Sequence, residues 1–300
     1  MKRNKKPEKK VISLVTGDWH LREDVPLCRT DDYWSTQWGK VKFISELQEK
    51  YECPVIHSGD LFHHWKPSPY LLSTTIKNIP KKFFTIYGNH DIPQNSMEMK
   101  EKSGLETLSI SGAITIIPGD YGISFDQIKP IEIEGIGEVI LWHGMAYQGK
   151  MPFEGCEYLE SKKLLRKLVD KFPEIKVVIT GHNHQTFTEE YSAVFLINPG
   201  SIMRITSDQK EHEPVVFLLH EDYTISEVKI PLADKNPVSQ RHIIQAQEKE
   251  KRIEAFIEKL NTNWESDVSF RVNLERFFNV NHTQQNIENL VWESLEENEK

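Results

Sequence analysis

Residues 11–20 read Val-Ile-Ser-Leu-Val-Thr-Gly-Asp-Trp-His, and this stretch decides the fold. Its first half is a nearly continuous apolar and β-branched run, which is typical of a strand buried on both faces. The run leads into a glycine, which permits a tight turn, and then into two side chains that can bind a metal, Asp18 and His20. We therefore expect both side chains just beyond the carboxyl end of a buried strand.

The same arrangement recurs along the first two hundred residues. Short apolar runs that end near Gly, Asp, Asn or His cover residues 11–15, 54–57, 83–87, 139–142, 176–180 and 193–197. Helical patterns lie between them, with predicted starts at Asp31 or Asp32 and at Ser68-Pro69, and a third apolar stripe over residues 164–172. Strands that alternate with helices predict a layered α/β domain.

The pattern changes after about residue 214. Residues 215–219 and 226–231 are predicted strands, and residues 240–260 and 286–297 are predicted helices. Residues 267–275 alternate between apolar and polar side chains, which predicts a half-buried strand. We therefore predict a basic flexible arm over residues 1–10, a main domain over 11–225 and a small C-terminal α/β domain over 226–300.

Composition excludes several classes of protein. The 300 residues carry a net charge of −8, although residues 1–10 hold six Lys or Arg and one Glu. No apolar run approaches the ~20 residues that a membrane-spanning helix needs, so no membrane association is expected. The three cysteines lack CxxC spacing, which argues against a disulfide framework and for a reducing compartment. The cytoplasm is therefore the expected location.

Polar clusters follow the predicted strands. They are Gly17-Asp18-Trp19-His20, Gly59-Asp60-Leu61-Phe62-His63, Gly88-Asn89-His90-Asp91, Trp142-His143-Gly144, Gly181-His182-Asn183-His184 and Asn198-Pro199-Gly200-Ser201. In open α/β sheets, sites form in the crevice beyond the carboxyl ends of the strands. Clusters from separate strands are therefore expected to converge on one place.

The converging groups suit a pair of transition-metal ions. Two Asp, one Asn and four or five His form a mixed imidazole and carboxylate set, which favours Mn, Fe or Zn over Ca. Seven ligands exceed what one open catalytic ion needs, whereas two ions about 3.5–4 Å apart clamp the oxygens of a phosphoryl displacement. A shared carboxylate is the natural bridge, and Asp60 is our candidate. We expect two divalent ions, Mn²⁺ first, with Mg²⁺, Fe²⁺ and Zn²⁺ as alternatives.

Each cluster alone also has a purely structural interpretation. An Asp-x-His after a strand is usually a cap or a satisfied turn, and His143 alone is as readily a core histidine as a ligand. Five such clusters in order, each at a strand end, favour the metal site.

These five motifs resemble the signatures of the calcineurin-like metallophosphoesterase superfamily. The motifs are Asp18-x-His20, Gly59-Asp60, Gly88-Asn89-His90-Asp91, His143 and Gly181-His182-x-His184, and the resemblance covers roughly residues 11–205. It implies a four-layer α-β-β-α sandwich with a dinuclear metal site. The implied metal ligands are Asp18, His20, Asp60, Asn89, His143, His182 and His184. The resemblance also implies that His90 protonates the leaving group or stabilises the transition state, and that Asp91 helps to orient His90.

A narrower resemblance is to the SbcD-type subunit of double-strand-break repair nucleases. It rests on Gly59-Asp-Leu-Phe-His63-His-Trp-Lys66-Pro-Ser68 and on Asn198-Pro-Gly-Ser-Ile-Met-Arg204. It implies that His63 helps to position DNA and that the C-terminal domain is a DNA-contacting capping domain. It also implies DNA, an SbcC-like coiled-coil ATPase and a second copy of the chain as partners.

The second motif bears on the substrate. Phosphate monoesters are dianions, and enzymes that cleave them usually add an arginine beside the metals. Protein serine/threonine phosphatases of this superfamily carry Gly-Asp-x-x-Asp-Arg-Gly here, whereas this chain has no arginine in the motif. A diester fits better, and we predict a DNA exonuclease or endonuclease in repair, recombination or replication. Lys66 either contacts phosphates or lies in a solvated loop, and Trp65 is either packed or stacked on a base. The alternatives are another phosphoesterase, acting on nucleotides or phosphoproteins, and a metal-poor interaction scaffold.

Overall fold

A computed structural model describes residues 9–121, 127–149, 159–232, 236–241, 244, 249, 251–255 and 270–297. The strands are β1 (Val11–Thr16), β2 (Val55–His57), β3 (Phe83–Thr85), β4 (Thr115–Ile116), β5 (Asp120–Tyr121), β6 (Ile131–Ile133), β7 (Gly137–His143), β8 (Ala146–Tyr147), β9 (Leu159–Glu160), β10 (Val177–Gly181), β11 (Phe187–Tyr191), β12 (Val194–Asn198), β13 (Val215–His220) and β14 (Ile225–Lys229). The α-helices with defined bounds are α1 (Tyr33–Tyr51), α2 (Pro69–Asn78), α3 (Gly104–Ile110), α4 (Ser161–Lys171), α5 (Phe270–Val280) and α6 (Gln285–Glu297).

Two sheets form the centre of the main unit. The first has the strand order β14-β13-β1-β2-β3-β4, and the second has the order β11-β12-β10-β7-β5 with β6 paired to β7. Strands β1, β2 and β3 run parallel in the first sheet, as β7, β10 and β12 do in the second. The carboxyl ends of these three strands therefore lie at the same end of each sheet.

Alternate residues of the strands point to different layers. In β1, Leu14 packs in a cluster with residues of α1, α2 and α3, whereas its neighbour Val15 packs in a cluster shared by the two sheets. Residues of α4 cover the other face of the second sheet, where Leu164 packs in a cluster with Val178. The order is helices, sheet, sheet, helix, so the four-layer α/β sandwich expected from the sequence is confirmed.

Helix starts follow the predicted caps. The Asp32 side chain accepts the N–H of Ser35 at the start of α1, and the Ser68 side chain accepts the N–H of Leu71 at the start of α2. Pro69 occupies the first turn of α2, where its missing N–H is not needed. Of the two caps proposed for the first helix, the structure uses Asp32.

The chain divides into two compact units, Met1–Ser239 and Gln240–Lys300. This division lies beyond the boundary expected at residue 225, because β14 pairs antiparallel with β13 and so completes the first sheet. Of the expected arm, residues 1–8 lie outside the described residues. Lys9 is tied to the main unit, since its ammonium contacts Asp222 at 2.5 Å.

The strand predicted over residues 267–275 is wrong for the part that the structure describes. Phe270–Val280 is helix α5, which buries Leu274, Phe277 and Phe278 and leaves Phe270 and Val272 about half exposed. The described residues of the second unit form helices and turns, because the predicted strand over 226–231 belongs to the first unit as β14 and the described part of 267–275 is helical. Cys156 and much of the helix predicted over residues 240–260 lie outside the described residues, although 251–255 are helical. Among the described residues, we find no helix with the length and apolar character needed to cross a bilayer.

Candidate metal centre

The predicted ligands lie where the strands end. Asp18 and His20 follow β1, Asp60 follows β2, and Asn89 and His90 follow β3 in a short 3-10 helix (Asn89–Asp91). His143 is the last residue of β7, and His182 and His184 follow β10. The structure brings all seven together, from both sheets, at one edge of the sandwich.

One group of ligand atoms contains Asp18, His20 and His184. Their ligand atoms lie within 4.8 Å of one another, and the Nε2 atoms of His20 and His184 are 3.0 Å apart. The side chains of Asp18 and His20 are almost fully buried. This group has the composition of a site for one divalent ion.

A second group contains Asp60, His143 and His182, whose ligand atoms also lie within 4.8 Å of one another. The Oδ1 atom of Asn89 adds a fourth candidate metal-ligand atom, since it lies 3.1 Å from His143 Nε2 and 2.8 Å from His182 Nδ1. The other ring nitrogen of His143, Nδ1, contacts the carbonyl oxygen of Ser58 at 2.7 Å. That contact fixes the orientation of the ring.

Asp60 lies between the two groups. Its Oδ2 atom is 3.5 Å from His20 Nε2 in the first group and 3.3 Å from His143 Nε2 in the second. Its Oδ1 atom accepts the backbone N–H of His90 at 2.8 Å. This is the position that a carboxylate bridging two ions needs.

Unpartnered buried atoms show that the residues fit metal ions. Asp18 Oδ2 and His20 Nδ1 are buried and have no hydrogen-bond partner in the described part of the chain, and buried Asp60 Oδ2 has only the longer contacts to the imidazoles of His20 and His143. A buried carboxylate oxygen without a donor or cation is strongly destabilising. A pair of divalent cations would satisfy both carboxylates, and the histidine and carboxylate donor set matches such ions.

Burial and mutual contacts shift the pKa values of these groups. Burial raises the pKa of Asp18 to about 8 and lowers the pKa values of His182 and His184 to about 4. Burial also opposes ionisation of Asp60, but the adjacent imidazole of His143 outweighs it and holds the pKa of this carboxyl well below its ordinary value. Although burial alone lowers the pKa of His143, Asp60 raises it to about 9. His182 and His184 are thus neutral at neutral pH, which is the form that binds metals.

The backbone at the ligands is strained. Asp18, His20, Asp60 and His182 have positive φ values of 49°, 47°, 57° and 78°, a left-handed conformation that L-residues seldom adopt. Such positions cost about 1–3 kcal/mol each and persist only where the surroundings enforce them. The loops therefore hold these side chains in a preset arrangement.

Glycine at position 88 is required by close packing. A Cβ atom there would lie 2.1 Å from Asp60 Oδ1 and 2.4 Å from the backbone nitrogen of Asp60. Any side chain at this position would displace the carboxylate that lies between the two groups.

His90 and His63 lie beside the first group. The Nδ1 atom of His90 lies 2.7 Å from the carbonyl oxygen of His63 and therefore donates to it. The two rings stack with their centroids 5.2 Å apart, and the ring of His20 meets His90 edge-on at 4.7 Å. Because Nδ1 is occupied, Nε2 is the nitrogen of His90 that is left to exchange a proton with a substrate.

Asp91 has a different role from the one the resemblance implied. Its carboxylate accepts backbone N–H groups of Asp60, Phe62 and Gly88 at 2.8, 3.1 and 3.0 Å. The ring of His90 is oriented by the carbonyl of His63 instead. Asp91 therefore joins the loop after β2 to the loop after β3, and it acts as a positioning residue.

Asn198 is a positioning residue to which the sequence assigned no role. Its side-chain amide nitrogen donates to the carbonyls of Asn183 and Gln185, both at 2.6 Å, on either side of His184. Its Oδ1 atom accepts the hydroxyl of Thr180 at 2.8 Å. The Asn198-Pro-Gly-Ser cluster was the available signal, but its sequence does not show which loop the amide holds.

A small cavity of about 260 Å³, here called the His63 cavity, adjoins the site. It is lined by Leu21, Arg22, Glu23, Asp24, His63, His64, Lys66, Pro67, Ser68 and Leu71. Lys66 is exposed, whereas Trp65 is half-buried with its ring 5.4 Å from that of His64. The guanidinium of Arg22 is held by Asp24 at two points, with Nε 2.9 Å from Oδ1.

A family model described as calcineurin-like phosphoesterase matches residues 13–186, more than half of the chain. The chain belongs to the calcineurin-like phosphoesterases. It is therefore a phosphoesterase of a family that uses divalent metals, and the two groups of His and Asp side chains are its candidate metal ligands.

Three solved structures that align with this chain have low sequence identity to it. An archaeal phosphodiesterase is 19% identical, with a TM-score of 0.42 over 72% of this chain and 98% of that chain. Vacuolar protein sorting 29 from Cryptosporidium parvum is 14% identical, with a TM-score of 0.39 over 75% of this chain and 100% of that chain. A predicted phosphoesterase from Streptococcus pneumoniae is 14% identical, with a TM-score of 0.33 over 73% of this chain and 97% of that chain. A search of curated proteins found no match.

Proposed function

We propose that this phosphoesterase is a DNA nuclease that hydrolyses phosphodiester bonds. The observation that carries the proposal is the absence of an available guanidinium beside the metal ligands, among the residues that the structure describes. Arg22, the one arginine lining the His63 cavity, is engaged by Asp24. A second cavity of about 890 Å³ opens beside His182 and His184, and no arginine is among its described lining residues. A monoester dianion would lack its usual cationic partner, so a diester monoanion is the better substrate.

Asp18, His20 and His184 would hold one divalent ion, and Asn89, His143 and His182 would hold a second, with Asp60 between the two groups. When bound, these ions lower the pKa of a coordinated water from 15.7 to about 7 and neutralise charge on the phosphate. The reaction consumes one water and converts a diester into a monoester and an alcohol.

His90 is the proposed general acid. Its Nδ1–H is fixed on the carbonyl of His63, so a proton delivered to the leaving oxygen comes from Nε2. Proton donation by a positioned side chain typically contributes about 10²–10⁴ in rate.

His63 is proposed to position DNA, in line with the SbcD-type resemblance. Its ring is only partly buried, stacks on His90 and lines a cavity that also contains Lys66. A DNA strand with one phosphate at His90 would therefore extend past His63 toward the exposed ammonium group of Lys66.

The deciding experiment compares three substrates with the Mn²⁺-loaded full chain: linear double-stranded DNA, bis(p-nitrophenyl) phosphate and p-nitrophenyl phosphate. We expect hydrolysis of the DNA and the diester and little of the monoester, with all activity lost in Asp60→Ala. Faster turnover of the monoester would refute the diester assignment. Hydrolysis of nucleotide diesters without cleavage of DNA would instead support a small-molecule phosphodiesterase.

A further inference from the structure

Arg22 lies close to the group that we assign to proton transfer. Leu21 and Phe62 form a parallel β-bridge, and the carbonyl oxygen of Leu21 accepts the N–H of His63 at 3.1 Å. The next residues along the two segments, Arg22 and His63, are therefore neighbours across this bridge, and both line the His63 cavity. The ring of His63 in turn stacks on that of His90. The backbone thus places Arg22 one side chain away from His90.

The backbone of Arg22 is fixed at that place. Its N–H donates to Gln37 Oε1 at 3.2 Å, and its carbonyl oxygen accepts the side-chain amide of Gln37 at 2.7 Å. Gln37 is fully buried on α1. A substitution that freed the guanidinium of Arg22 would therefore change the rotamer of this side chain and leave the loop in place.

The guanidinium is turned onto a carboxylate two residues further along the chain. Nε of Arg22 lies 2.9 Å from Oδ1 of Asp24, and Nη2 of Arg22 contacts Oδ2, so the two groups meet at two points. These hydrogen bonds hold the pKa of the Asp24 carboxyl below its ordinary value, and the pair stays ionised at neutral pH. The side chain of Asp24 is 69% exposed. Because exposed ion pairs contribute little to stability, the fold does not require this carboxylate.

We propose that Asp24 is a specificity-determining residue, which withholds the Arg22 guanidinium from the substrate phosphate and so makes the enzyme a diesterase. This inference rests on the proposed function and names the residue that sets its substrate class. A planar guanidinium is well matched to two oxygens of a phosphate, and it favours the monoester because the monoester carries the larger charge. With Arg22 occupied, a bound monoester dianion lacks this partner, whereas a diester depends on it less.

The same ion pair favours release of the product. In hydrolysis of a diester, a water oxygen forms a bond to phosphorus, one ester bond from phosphorus to oxygen breaks, and the departing oxygen takes up a proton. The phosphate that remains is a monoester, which is a dianion above its second pKa of about 6. A free guanidinium beside it would retain this product, and Asp24 removes that interaction.

The variant Asp24→Ala tests the proposal by freeing the guanidinium. The Mn²⁺-loaded full chain is assayed at about pH 8, where the monoester is a dianion. The measured quantity is the ratio of kcat/KM for p-nitrophenyl phosphate to kcat/KM for bis(p-nitrophenyl) phosphate. We expect this ratio to rise by about tenfold in Asp24→Ala, because a hydrogen bond to a charged group has an effect of about that size.

Calorimetry supplies a measurement that does not depend on turnover. Titration of the loaded protein with inorganic phosphate, a dianion at this pH, should give a Kd about tenfold lower in Asp24→Ala than in the wild type. The Kd for dimethyl phosphate, which is a monoanion, should fall by less than the Kd for inorganic phosphate.

Two further variants separate release of the guanidinium from loss of a negative charge. Arg22→Met/Asp24→Ala lacks the guanidinium but keeps an apolar stem. Glu23→Gln neutralises a neighbouring carboxylate in the lining of the same cavity and leaves the pair of Arg22 and Asp24 intact. Both should keep the wild-type substrate ratio and phosphate affinity to within about twofold. Lys66 also lines the cavity, but it is present in every variant and so causes no difference between them.

The results distinguish failure of this inference from failure of the proposed function. If the wild type prefers the diester and Asp24→Ala keeps both the wild-type ratio and the wild-type phosphate affinity, Asp24 has no role in specificity and the diesterase stands. An equal rise of the ratio in Glu23→Gln or in the double variant would assign the effect to charge alone and would also overturn the inference. Faster turnover of the monoester by the wild type would overturn the proposed function, and the inference with it.

Discussion

The contacts of His90 and Asp60 assign these two residues to different tasks, proton transfer and metal binding. His90 donates Nδ1–H to a carbonyl and contributes no atom to the two groups that we assign to metals. Asp60, in contrast, lies within 3.5 Å of a histidine from each group. Substitutions of these two residues should therefore fail in different ways.

Replacement of His90 tests proton transfer. We expect His90→Ala to retain wild-type metal content and DNA affinity while its cleavage rate falls by about 10²–10⁴. Metal analysis, DNA anisotropy and single-turnover cleavage together measure this. His220→Ala, which removes a histidine at the end of β13, is the control and should leave all three unchanged. A drop in metal content alongside activity would instead make His90 a ligand.

Replacement of Asp60 tests the shared carboxylate. We expect Asp60→Ala to bind one ion or none in place of two, because both groups lose the oxygen between them. Elemental analysis of the purified protein gives the stoichiometry. Asp170→Ala, on the exposed face of α4, should keep the wild-type content. Two full equivalents of metal in Asp60→Ala would rule out the bridging assignment.

The sequence predicts the side chains at the site better than their supports. Gly-Asp and Gly-His turns at strand ends specify where ligands such as Asp18 and His182 emerge. The partners of Asp91 are backbone N–H groups, which every residue possesses, and so no sequence pattern distinguishes them. Supports of this kind become visible only once the loops are placed in space.

Among the secondary-structure elements, the loop after β10 depends on β12. Asn198, the last residue of β12, supplies donors to two carbonyls that flank His184. We expect Asn198→Ala to leave both carbonyls without these donors and to weaken metal binding by about 10–100-fold, as observed when residues that support metal ligands are lost. Titration with Mn²⁺ followed by calorimetry measures the affinity.

The matched control for this loop is Asn236→Ala, which removes an exposed amide bonded to the carbonyl of Lys210. It should bind metal as the wild type does. Unchanged affinity in Asn198→Ala would mean that the backbone alone holds the loop.

Helix α5 shows why one element was predicted wrongly. Its sequence alternates over residues 267–275, as a strand would, but Phe270, Leu274, Phe277 and Phe278 also recur at helical spacing. The helical period becomes evident only when the window extends past residue 275. Burial of the last three of these residues decides in favour of the helix.

For the whole molecule, the site depends on the packing of one sheet against the other, since each sheet supplies part of the ligand set. Phe217 in β13 is fully buried in the cluster between the sheets. We expect Phe217→Ala to lower the free energy of unfolding by about 3–5 kcal/mol. Denaturant unfolding measures this change, and Ile110→Ala, at a side chain 81% exposed, should change it by less than about 0.5 kcal/mol. Similar values for the two variants would contradict the assignment of Phe217 to the core.

The layered architecture of the whole molecule was predictable because apolar runs and helical stripes alternate over two hundred residues. The division into units was harder to predict. Strand β14 has few apolar residues and belongs to the first sheet only through its ladder with β13, which is a long-range pairing rather than a local pattern. The SbcC-like ATPase and the second copy of the chain stay predictions about partners.

The left-handed backbone at Asp18, His20, Asp60 and His182 has an evolutionary consequence. At these four positions, glycine would adopt the same φ without steric penalty, but it would remove a ligand. Selection for catalysis and selection for stability thus favour different residues at the same sites. In a descendant without phosphoesterase activity, we expect substitution to glycine at these four positions before other sites. The residues found there would therefore distinguish active descendants of this enzyme from inactive ones.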